Sequence, residues 1–188
     1  WFGRSVTILK SSRFSTIDDV FETRKYLAGI RGAPCTSEMK KMPRLEYQHP
    51  TDIHIFGYTA DEETRMARFN ETYPDVKTDW ILKERGLTKV ECFGVLKFAG
   101  IVLPVMYALG FRNNNCLGCV KASSPRYWAK IRDHFPDVFQ RRVEQSRRFN
   151  VRLIRIGGKH VFLDELPEKD FRERNENISC GPDCGPPT

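Results

Sequence analysis

The segment "DIHIFGYTADEETRMARFNETY", residues 52–73, constrains the fold more than any other part of the chain. Its apolar core of Ile53, Ile55 and Phe56 predicts a strand, and the acidic residues that follow favour the start of a helix near Asp61. A strand that passes through a glycine into a helix is typical of a βα unit in a parallel sheet. Because the strand is almost continuously apolar, we expect an interior strand covered on both faces. The sequence therefore predicts an α/β fold with a mainly parallel sheet.

Strand and helix signals continue on both sides of this unit. The alternating stretch "SVTILKS" predicts a strand, and the residues after Thr16, a candidate N-cap, have helical spacing. Pro104 and Pro136 each divide a long stretch into two helices, and the glycine pair in "IGGKH" predicts a hairpin turn. We expect one α/β domain over residues 1–168 and a polar, cysteine-containing tail over residues 169–188.

Hydropathy and cysteine usage indicate the compartment. The longest apolar run, "FAGIVLPVMYALGF", is shorter than a membrane span and is broken by Gly100, Pro104 and Gly110, so we expect no membrane association. The N-terminal residues lack the pattern of a secretion signal, and the expected location is therefore the cytoplasm. Six cysteines in a reducing compartment indicate metal or redox chemistry rather than a disulfide framework.

The chain carries 31 basic and 24 acidic residues, a net charge of +7 that favours an anionic partner such as a nucleotide, nucleic acid or phosphate. Much of this charge lies in "RRVEQSRRFNVRLIR". A run of this kind is more often a solvated helix face than a binding groove, and we expect the solvated face. Its arginines are Arg141, Arg142, Arg147, Arg148, Arg152 and Arg155.

Four of the cysteines form two closely spaced pairs. Cys116 and Cys119 form a CxxC motif on a glycine-containing turn, and Cys180 and Cys184 form CxxxC in the tail. Zinc sites and iron-sulfur clusters both use such pairs, because one turn directs two sulfurs at one ion or cluster. A metal would also anchor the polar tail. A redox dithiol is the alternative for the CxxC motif, and Cys92, between apolar residues, is interpreted as a core thiol.

Cys35 lies at a predicted junction between a loop and a short helix that a proline limits. Lys40, Lys41 and Arg44 follow it closely. A helix N-terminus and nearby positive charge stabilise a thiolate and also attract an anion. Cys35 is therefore a candidate metal ligand or a residue on the substrate side, and the three basic residues are candidate substrate-binding residues.

Arg65 and Arg68 are also candidate substrate-binding residues. They follow the predicted strand and lie three positions apart, so both project from one side of a helix towards an anionic substrate. A surface ion pair between Arg65 and Asp61 or Glu62 is an equally good interpretation.

The order of "RGAPCTSEMKKMP", "HIFGYTADEETRMARF", "GFRNNNCLGCVK" and a final "SCGPDC" resembles the phosphoadenosine phosphosulfate reductase family, especially divergent members from phages and mobile elements. The resemblance covers nearly the whole chain. It implies a Rossmann-like α/β fold flanked by helices, with a cysteine-rich C-terminal part. It also implies an adenine sulfonucleotide substrate and, as in the adenylyl-sulfate branch, a four-iron cluster completed by the CxxC motif.

Two departures from the family pattern affect these expectations. The cluster-binding branch has adjacent cysteines where this chain has Pro34, Cys35 and Thr36, so one ligand must come from elsewhere, and the tail pair can supply it. The family's glycine-rich phosphate-binding loop has no counterpart here. The 188 residues therefore resemble the C-terminal two-thirds of such an enzyme, beginning within the domain at Trp1.

The tail supports two roles that exclude each other for a single sulfur. In the reductases, a thiolate in a Cys-Gly motif attacks the sulfur of the sulfonucleotide and an adenosine phosphate leaves; Cys180 and Gly181 match that motif. Cys184, four residues later, favours a ligand role for Cys180. If Cys35 is the fourth ligand, however, one tail cysteine suffices for the cluster and the other can act on substrate.

Three functions are consistent with these patterns. The leading hypothesis is a sulfonucleotide reductase-like enzyme with an iron-sulfur cluster, which acts in sulfur metabolism with a thiol reductant protein as electron donor. The second is an ATP-dependent sulfur-transfer enzyme of the same superfamily that acts on nucleic acid. The third is a zinc-stabilised nucleic-acid-binding module without catalysis. Each of the three hypotheses is compatible with a homodimer.

Overall fold

The computed structural model describes residue 3, residues 5–29 and 32–172, and residue 178. These residues form two compact units. The first combines the N-terminal part of the chain up to Gln48 with the part from Cys116 onward, and the second runs from His49 to Asn115. The stretch that the sequence assigned to one domain, 1–168, therefore contains two units. The predicted tail lies almost entirely outside the described residues.

The described chain is a mixed helix-and-strand protein with one small parallel sheet and one hairpin. Within the described ranges, no helix has the length and apolar character that crossing a bilayer requires. The α-helices are α1 Ile17–Arg24, α2 Pro34–Thr36, α3 Met42–Tyr47, α4 Glu63–Thr72, α5 Ile81–Glu84, α6 Lys89–Phe98, α7 Val105–Ala108, α8 Pro125–His134 and α9 Pro136–Arg148. The strands are β1 Ile53–Ile55, β2 Lys77–Asp79, β3 Ile154–Ile156 and β4 Lys159–Val161. A π-helical turn, Ser37–Lys41, and two 3-10 turns, Ala60–Glu62 and Leu163–Glu165, complete the elements.

A reciprocal capping box starts α1 in the first unit. The Thr16 hydroxyl accepts a hydrogen bond from the Asp19 N–H at 3.1 Å, and the Asp19 carboxylate accepts one from the Thr16 N–H at 2.8 Å. The helix ends where Lys25 adopts a left-handed conformation. This confirms the predicted helix and its N-cap, although the helix is shorter than the apolar spacing indicated.

The helical segment that carries Cys35 is longer than predicted. We expected a short helix limited by Pro43, but α2, the π-turn and α3 follow one another up to Tyr47. The Met42 N–H donates to the Ser37 carbonyl, five residues back. This wider turn lies immediately before Pro43. It allows the helical segment to continue through Pro43, which has no backbone N–H to donate.

Helices α8 and α9 and the β3–β4 hairpin contribute several residues to the first unit's core. Trp128 and Ile131 of α8 and Ile154 of β3 are fully buried. The Trp128 indole N–H donates to the Ala122 carbonyl at 2.8 Å, which satisfies the buried ring nitrogen. The break between the two helices falls at Pro136, as predicted.

The hairpin has the turn that its sequence predicts. Strands β3 and β4 pair antiparallel, with Ile154 opposite Val161 and Ile156 opposite Lys159. Gly157 and Gly158 have φ values of 56° and 85°, which the favoured two-residue hairpin turn requires at both central positions.

The second unit is built around a parallel strand pair. Strands β1 and β2 pair in parallel, with Ile53 opposite Lys77 and Ile55 opposite Asp79, and α4 provides the crossover between them. Behind β1, the rings of Phe56, Phe69 and Trp80 pack together, with centroids 4.8 Å apart for Phe56–Phe69 and 5.3 Å apart for Phe56–Trp80. The βα unit and its parallel pairing are confirmed.

Two strand predictions are wrong for the described residues. We expected β1 to be an interior strand, but β2 is its single strand neighbour in this part of the chain, and Ile53 and Ile55 are each 63% exposed. The predicted strand at 5–11 is not a strand, and Val6 and Ile8 are largely exposed. In both cases the apolar residues are suited to one face of a sheet. A strand also needs neighbouring strands, however, because they supply the partners for its backbone N–H and C=O groups.

Candidate functional site

The CxxC motif occupies a tight turn just before α8 in the first unit. Cys116 is exposed, whereas Cys119 is only 7% exposed, so the two thiols meet different surroundings. Gly118 between them has a φ of 61°, a left-handed conformation that glycine adopts without strain. The two cysteines of the turn therefore differ in how far solvent reaches them.

Space as well as backbone geometry requires glycine at position 118. A Cβ atom there would lie 2.7 Å from Val138 Cγ1 and 3.3 Å from Arg142 Cγ, both on α9. The turn is thus packed directly against α9, and any side chain at this position would push the two apart.

Replacing Gly118 with alanine is therefore expected to lower the free energy of unfolding by about 2 kcal/mol, from backbone strain and overpacking together. Gly94 is the matched control, since it lies inside α6 without a positive φ and a Cβ atom added to it would meet nothing within 4 Å. Gly94→Ala is expected to raise stability by about 0.5–1 kcal/mol through helix propensity. Urea unfolding of both variants checks the prediction, and equal shifts in the two would contradict it.

Two side chains from α8 and α9 bind the backbone of the CxxC turn. The Tyr127 hydroxyl accepts a hydrogen bond from the Cys119 N–H at 2.8 Å and donates one to the Cys116 carbonyl at 3.1 Å. The Arg142 Nε–H donates to the Gly118 carbonyl at 3.1 Å. Three of the turn's backbone groups are thus paired with side chains of the helices behind it.

Arg142 lies in a buried polar network, which corrects its interpretation as part of a solvated helix face. It is 2% exposed, its Nη1 atom contacts Asp18 of α1 and Gln145, and its guanidinium carbon lies 5.2 Å from the centre of the Phe21 ring. Helical spacing could have indicated this burial, because Arg142 lies three residues after the buried Phe139.

Opposing effects set the pKa of Asp18. Partial burial raises it, but the hydrogen bond and positive charge of Arg142, together with hydrogen bonds from Gln145 and Arg141, outweigh burial and hold the pKa below its ordinary value. Asp18 is therefore ionised at neutral pH and neutralises the buried Arg142.

Most other arginines of this run also form ion pairs. Arg141 contacts Asp18 at 3.1 Å, Arg147 contacts Asp164 at 2.9 Å, and Arg148 contacts Glu22 at 2.7 Å. These three side chains are about half exposed, so for them the predicted surface position holds. Their charges are nevertheless partly neutralised by carboxylates of the same chain.

The segment around Cys35 has the predicted position at a helix start. Cys35 follows Pro34 at the first turn of α2, with Ala33 as the N-cap, and its side chain is half-buried. Lys40 is exposed, whereas Lys41 is only 9% exposed. The basic residues after Cys35 therefore do not form one solvent-facing group.

Sequence reasoning missed a buried carboxylate in this segment. Glu38 is 5% exposed and forms ion pairs with Arg24 of α1 and with Arg13, the latter at 3.5 Å. Since Glu38 lies between Cys35 and Lys41, the segment contains both signs of charge. The sequence around Glu38 did not indicate its burial, because the arginines that pair with it come from another part of the chain.

Arg65 and Arg68 belong to the second unit. Arg65 pairs with Glu62, and its guanidinium carbon lies 4.3 Å from the centre of the Tyr58 ring. Arg68 is exposed. The ion pair that the sequence offered as an alternative for Arg65 is thus present, and Arg68 is the more accessible of the two to an anion.

Cys92 of α6 is half-buried rather than fully enclosed. Partial burial raises the pKa of its thiol, and the negative charges of Glu91 and Asp61 raise it further. Neutral thiols are poor nucleophiles and poor metal ligands. Cys92 is therefore a suitable control position for substitutions of the other cysteines.

Within residues 5–29 and 32–172, no group of three or more histidine, cysteine or acidic side chains has an arrangement that could hold a metal ion. Cys180 and Cys184, which the sequence predicts as ligands, lie outside the described residues. The ligand set of Cys35, Cys116, Cys119, Cys180 and Cys184 stays a prediction, of which the structure describes the CxxC turn and the Cys35 segment.

No match to this chain is found among family models, curated proteins or solved structures.

Proposed function

We propose that the chain is a sulfonucleotide reductase-like enzyme domain that binds an iron-sulfur cluster at Cys116 and Cys119. The observation that supports this is the CxxC turn, whose backbone forms hydrogen bonds with Tyr127 and Arg142 and packs at Gly118 against α9. Two sulfurs on one turn fit the donor set of a four-iron cluster or of zinc. We further propose that β1, β2 and α4 of the second unit belong to a Rossmann-like sheet.

The remaining ligands are proposed from Cys35, Cys180 and Cys184. A bound cluster would supply redox-active or electrostatic character beside the substrate and would anchor the tail. In the proposed reaction the thiolate of Cys180, or of Cys184 where Cys180 is a ligand, attacks the sulfur of the sulfonucleotide. A sulfur–sulfur bond forms, the sulfur–oxygen bond breaks, and the nucleotide leaves on its phosphate oxygen. A thiol of the reductant protein then attacks the cysteine sulfur, the sulfur–sulfur bond breaks and sulfite leaves, and a mixed disulfide forms between the two proteins. A second thiol of the reductant protein attacks this disulfide, so the cysteine is regenerated and the reductant protein is left oxidised with a disulfide.

Exposed basic residues supply the attraction for the nucleotide. Lys40 and Arg68 reach solvent and can contact an anion, whereas Lys41 is buried and Arg65 interacts with Glu62 and Tyr58. Of the predicted residues in the first unit, we propose Lys40 as a substrate contact, with Lys41 and Arg44 in supporting roles. In the second unit, taken by itself, Arg68 is the predicted residue that can contact an anion, with Arg65 in a supporting role.

The ion pairs of the arginine run favour the enzyme over the zinc-stabilised nucleic-acid-binding module. Non-specific nucleic-acid binding depends on basic side chains that can neutralise phosphates. On α9, Arg141, Arg142, Arg147 and Arg148 contact carboxylates of the same chain. Phosphate binding at this helix would have to compete with these contacts.

Anaerobic purification of the full chain, followed by metal and acid-labile sulfide analysis, tests the proposed function. We expect a brown protein with about four iron and four sulfide per cluster. Saturable binding of an adenine sulfonucleotide, reduced in a Lys40→Ala variant and unchanged in Lys159→Ala, is expected as well. A colourless protein that contains zinc and binds nucleic acid but no nucleotide would support the module instead.

A further inference from the structure

Side chains of two helices pair three backbone groups of the CxxC turn. Tyr127, which is 9% exposed, bonds both ends of the turn through a single hydroxyl, because it accepts from the Cys119 N–H and donates to the Cys116 carbonyl. A second side chain, Arg142, bonds the Gly118 carbonyl between them. These contacts fix the peptide planes that carry both cysteines.

The side chains that bond the turn are themselves held in place. Arg142 is 2% exposed and is fixed by Asp18, Gln145 and the Phe21 ring, so its Nε–H has little freedom to turn away. Tyr127 lies on α8, where the Ser124 hydroxyl caps the helix by accepting from the Tyr127 N–H at 3.4 Å. Groups whose own positions are fixed make good supports for metal ligands.

A turn ordered in this way has a consequence for ligand binding. A flexible CxxC segment loses conformational entropy when its sulfurs bind a metal, and this loss lowers the affinity for the metal. If the turn is already ordered, its conformational entropy is lost during folding and not when the metal binds. Affinity then depends on side chains that never contact the metal.

We propose that Tyr127 and Arg142 are positioning residues of the Cys116–Cys119 metal centre and hold the turn in its ligand-presenting conformation before metal binds, an inference that rests on the metal centre proposed above. Tyr127 fixes the two ends of the turn and Arg142 fixes its middle. Neither residue is a metal ligand, since both act through backbone groups of the turn.

Titration of the reduced, metal-free full chain with Co²⁺ alone tests this inference, with the thiolate-to-cobalt absorption band as the readout. Tyr127→Phe removes the hydroxyl and keeps the ring. It is expected to lower Co²⁺ affinity about 10-fold or more, which is typical for loss of a residue that orients a ligand. Arg142→Lys keeps a positive charge for Asp18 but loses the planar fork that also reaches Gly118, and a decrease in the same direction is expected.

Each variant has a matched control. Tyr47→Phe removes a hydroxyl from an exposed tyrosine, and Arg141→Lys alters the neighbouring partner of Asp18. Both are expected to bind Co²⁺ like the wild type. Circular dichroism and hydrogen exchange of the Cys119 amide accompany every titration, and faster exchange is expected in Tyr127→Phe while the overall fold is retained.

The outcomes separate this inference from the proposed function. Wild-type-like Co²⁺ affinity in folded Tyr127→Phe and Arg142→Lys would overturn the positioning role and leave the metal centre standing. Absence of Co²⁺ binding by the wild type would overturn the metal centre, and the positioning role with it. Loss of affinity in the two variants but not in their controls would support the inference.

Discussion

Replacing Asp18 with asparagine is expected to lower the free energy of unfolding by about 3 kcal/mol at pH 7, because it leaves the charge of Arg142 buried without a carboxylate. The Arg142 side chain is 2% exposed and that of Asp18 is 26% exposed, so the guanidinium is shielded from water and the carboxylate is partly shielded. Asp18 also lies in the first turn of α1, where a negative charge interacts favourably with the helix dipole. Urea unfolding at pH 7 measures the loss.

A second ion pair between the same two helices provides the control. Glu22 of α1 contacts Arg148 of α9, and their side chains are 36% and 54% exposed. Surface pairs of this kind contribute little, so Glu22→Gln is expected to change stability by less than about 1 kcal/mol. Equal losses of stability in Asp18→Asn and Glu22→Gln would contradict the prediction, because they would show that burial of the Asp18–Arg142 pair does not increase its contribution to stability.

The effect of Asp18 is expected to depend on pH with a defined sign. Although burial opposes the shift, the contacts with Arg142 hold the pKa of Asp18 below its ordinary value of 3.8, so the unfolded chain takes up the proton first as the pH falls. The stability that Asp18 contributes is therefore complete above about pH 4–5 and decreases as the pH falls through the folded-state pKa. The gap between wild type and Asp18→Asn should narrow over that range. A gap that stays constant from pH 7 to pH 3 would contradict the prediction.

Replacing Cys116 with serine is expected to abolish incorporation of the iron-sulfur cluster, because a serine hydroxyl does not replace a thiolate ligand and Cys116 is accessible to a cluster. Cys119→Ser is expected to have the same effect. Cys92→Ser is the matched control and should retain iron and sulfide at the wild-type level. Iron, sulfide and absorbance per chain, measured after anaerobic purification, check the prediction, and full metal retention in Cys116→Ser would exclude the proposed centre.

The remaining cysteines separate two versions of the ligand set. If Cys35 is the fourth ligand, Cys35→Ser should lose cluster and activity together, whereas one of Cys180→Ser and Cys184→Ser should lose activity and keep the cluster. If the two cysteine pairs alone form the site, both tail variants should lose the cluster and Cys35→Ser should keep it. The two versions therefore predict opposite results for the same three variants.

Sequence patterns that depend on neighbouring residues predicted local structure well. The Thr16–Asp19 capping box, the break at Pro136 and the Gly157–Gly158 turn all occur where the sequence indicates them. Each depends on hydrogen bonds or backbone dihedral angles within about four residues. The CxxC turn with its central glycine belongs to the same class, since the need for glycine at position 118 is partly a matter of its own φ angle.

The tertiary structure alone decided which of these segments meet. Arg142 belongs to an arginine-rich stretch and was interpreted as solvated, yet it is buried because Asp18, 124 positions away, supplies a carboxylate and the CxxC turn supplies a carbonyl. The alternating residues 5–11 were expected to form a strand and β1 to be an interior strand, but among the described residues the first segment has no strand partner and β1 has a single one. The sequence by itself determined the helices, turns and cysteine spacing, because those depend on short-range geometry. Burial of a charge or of a strand depends on partners from distant parts of the chain, and only the folded structure brings them together.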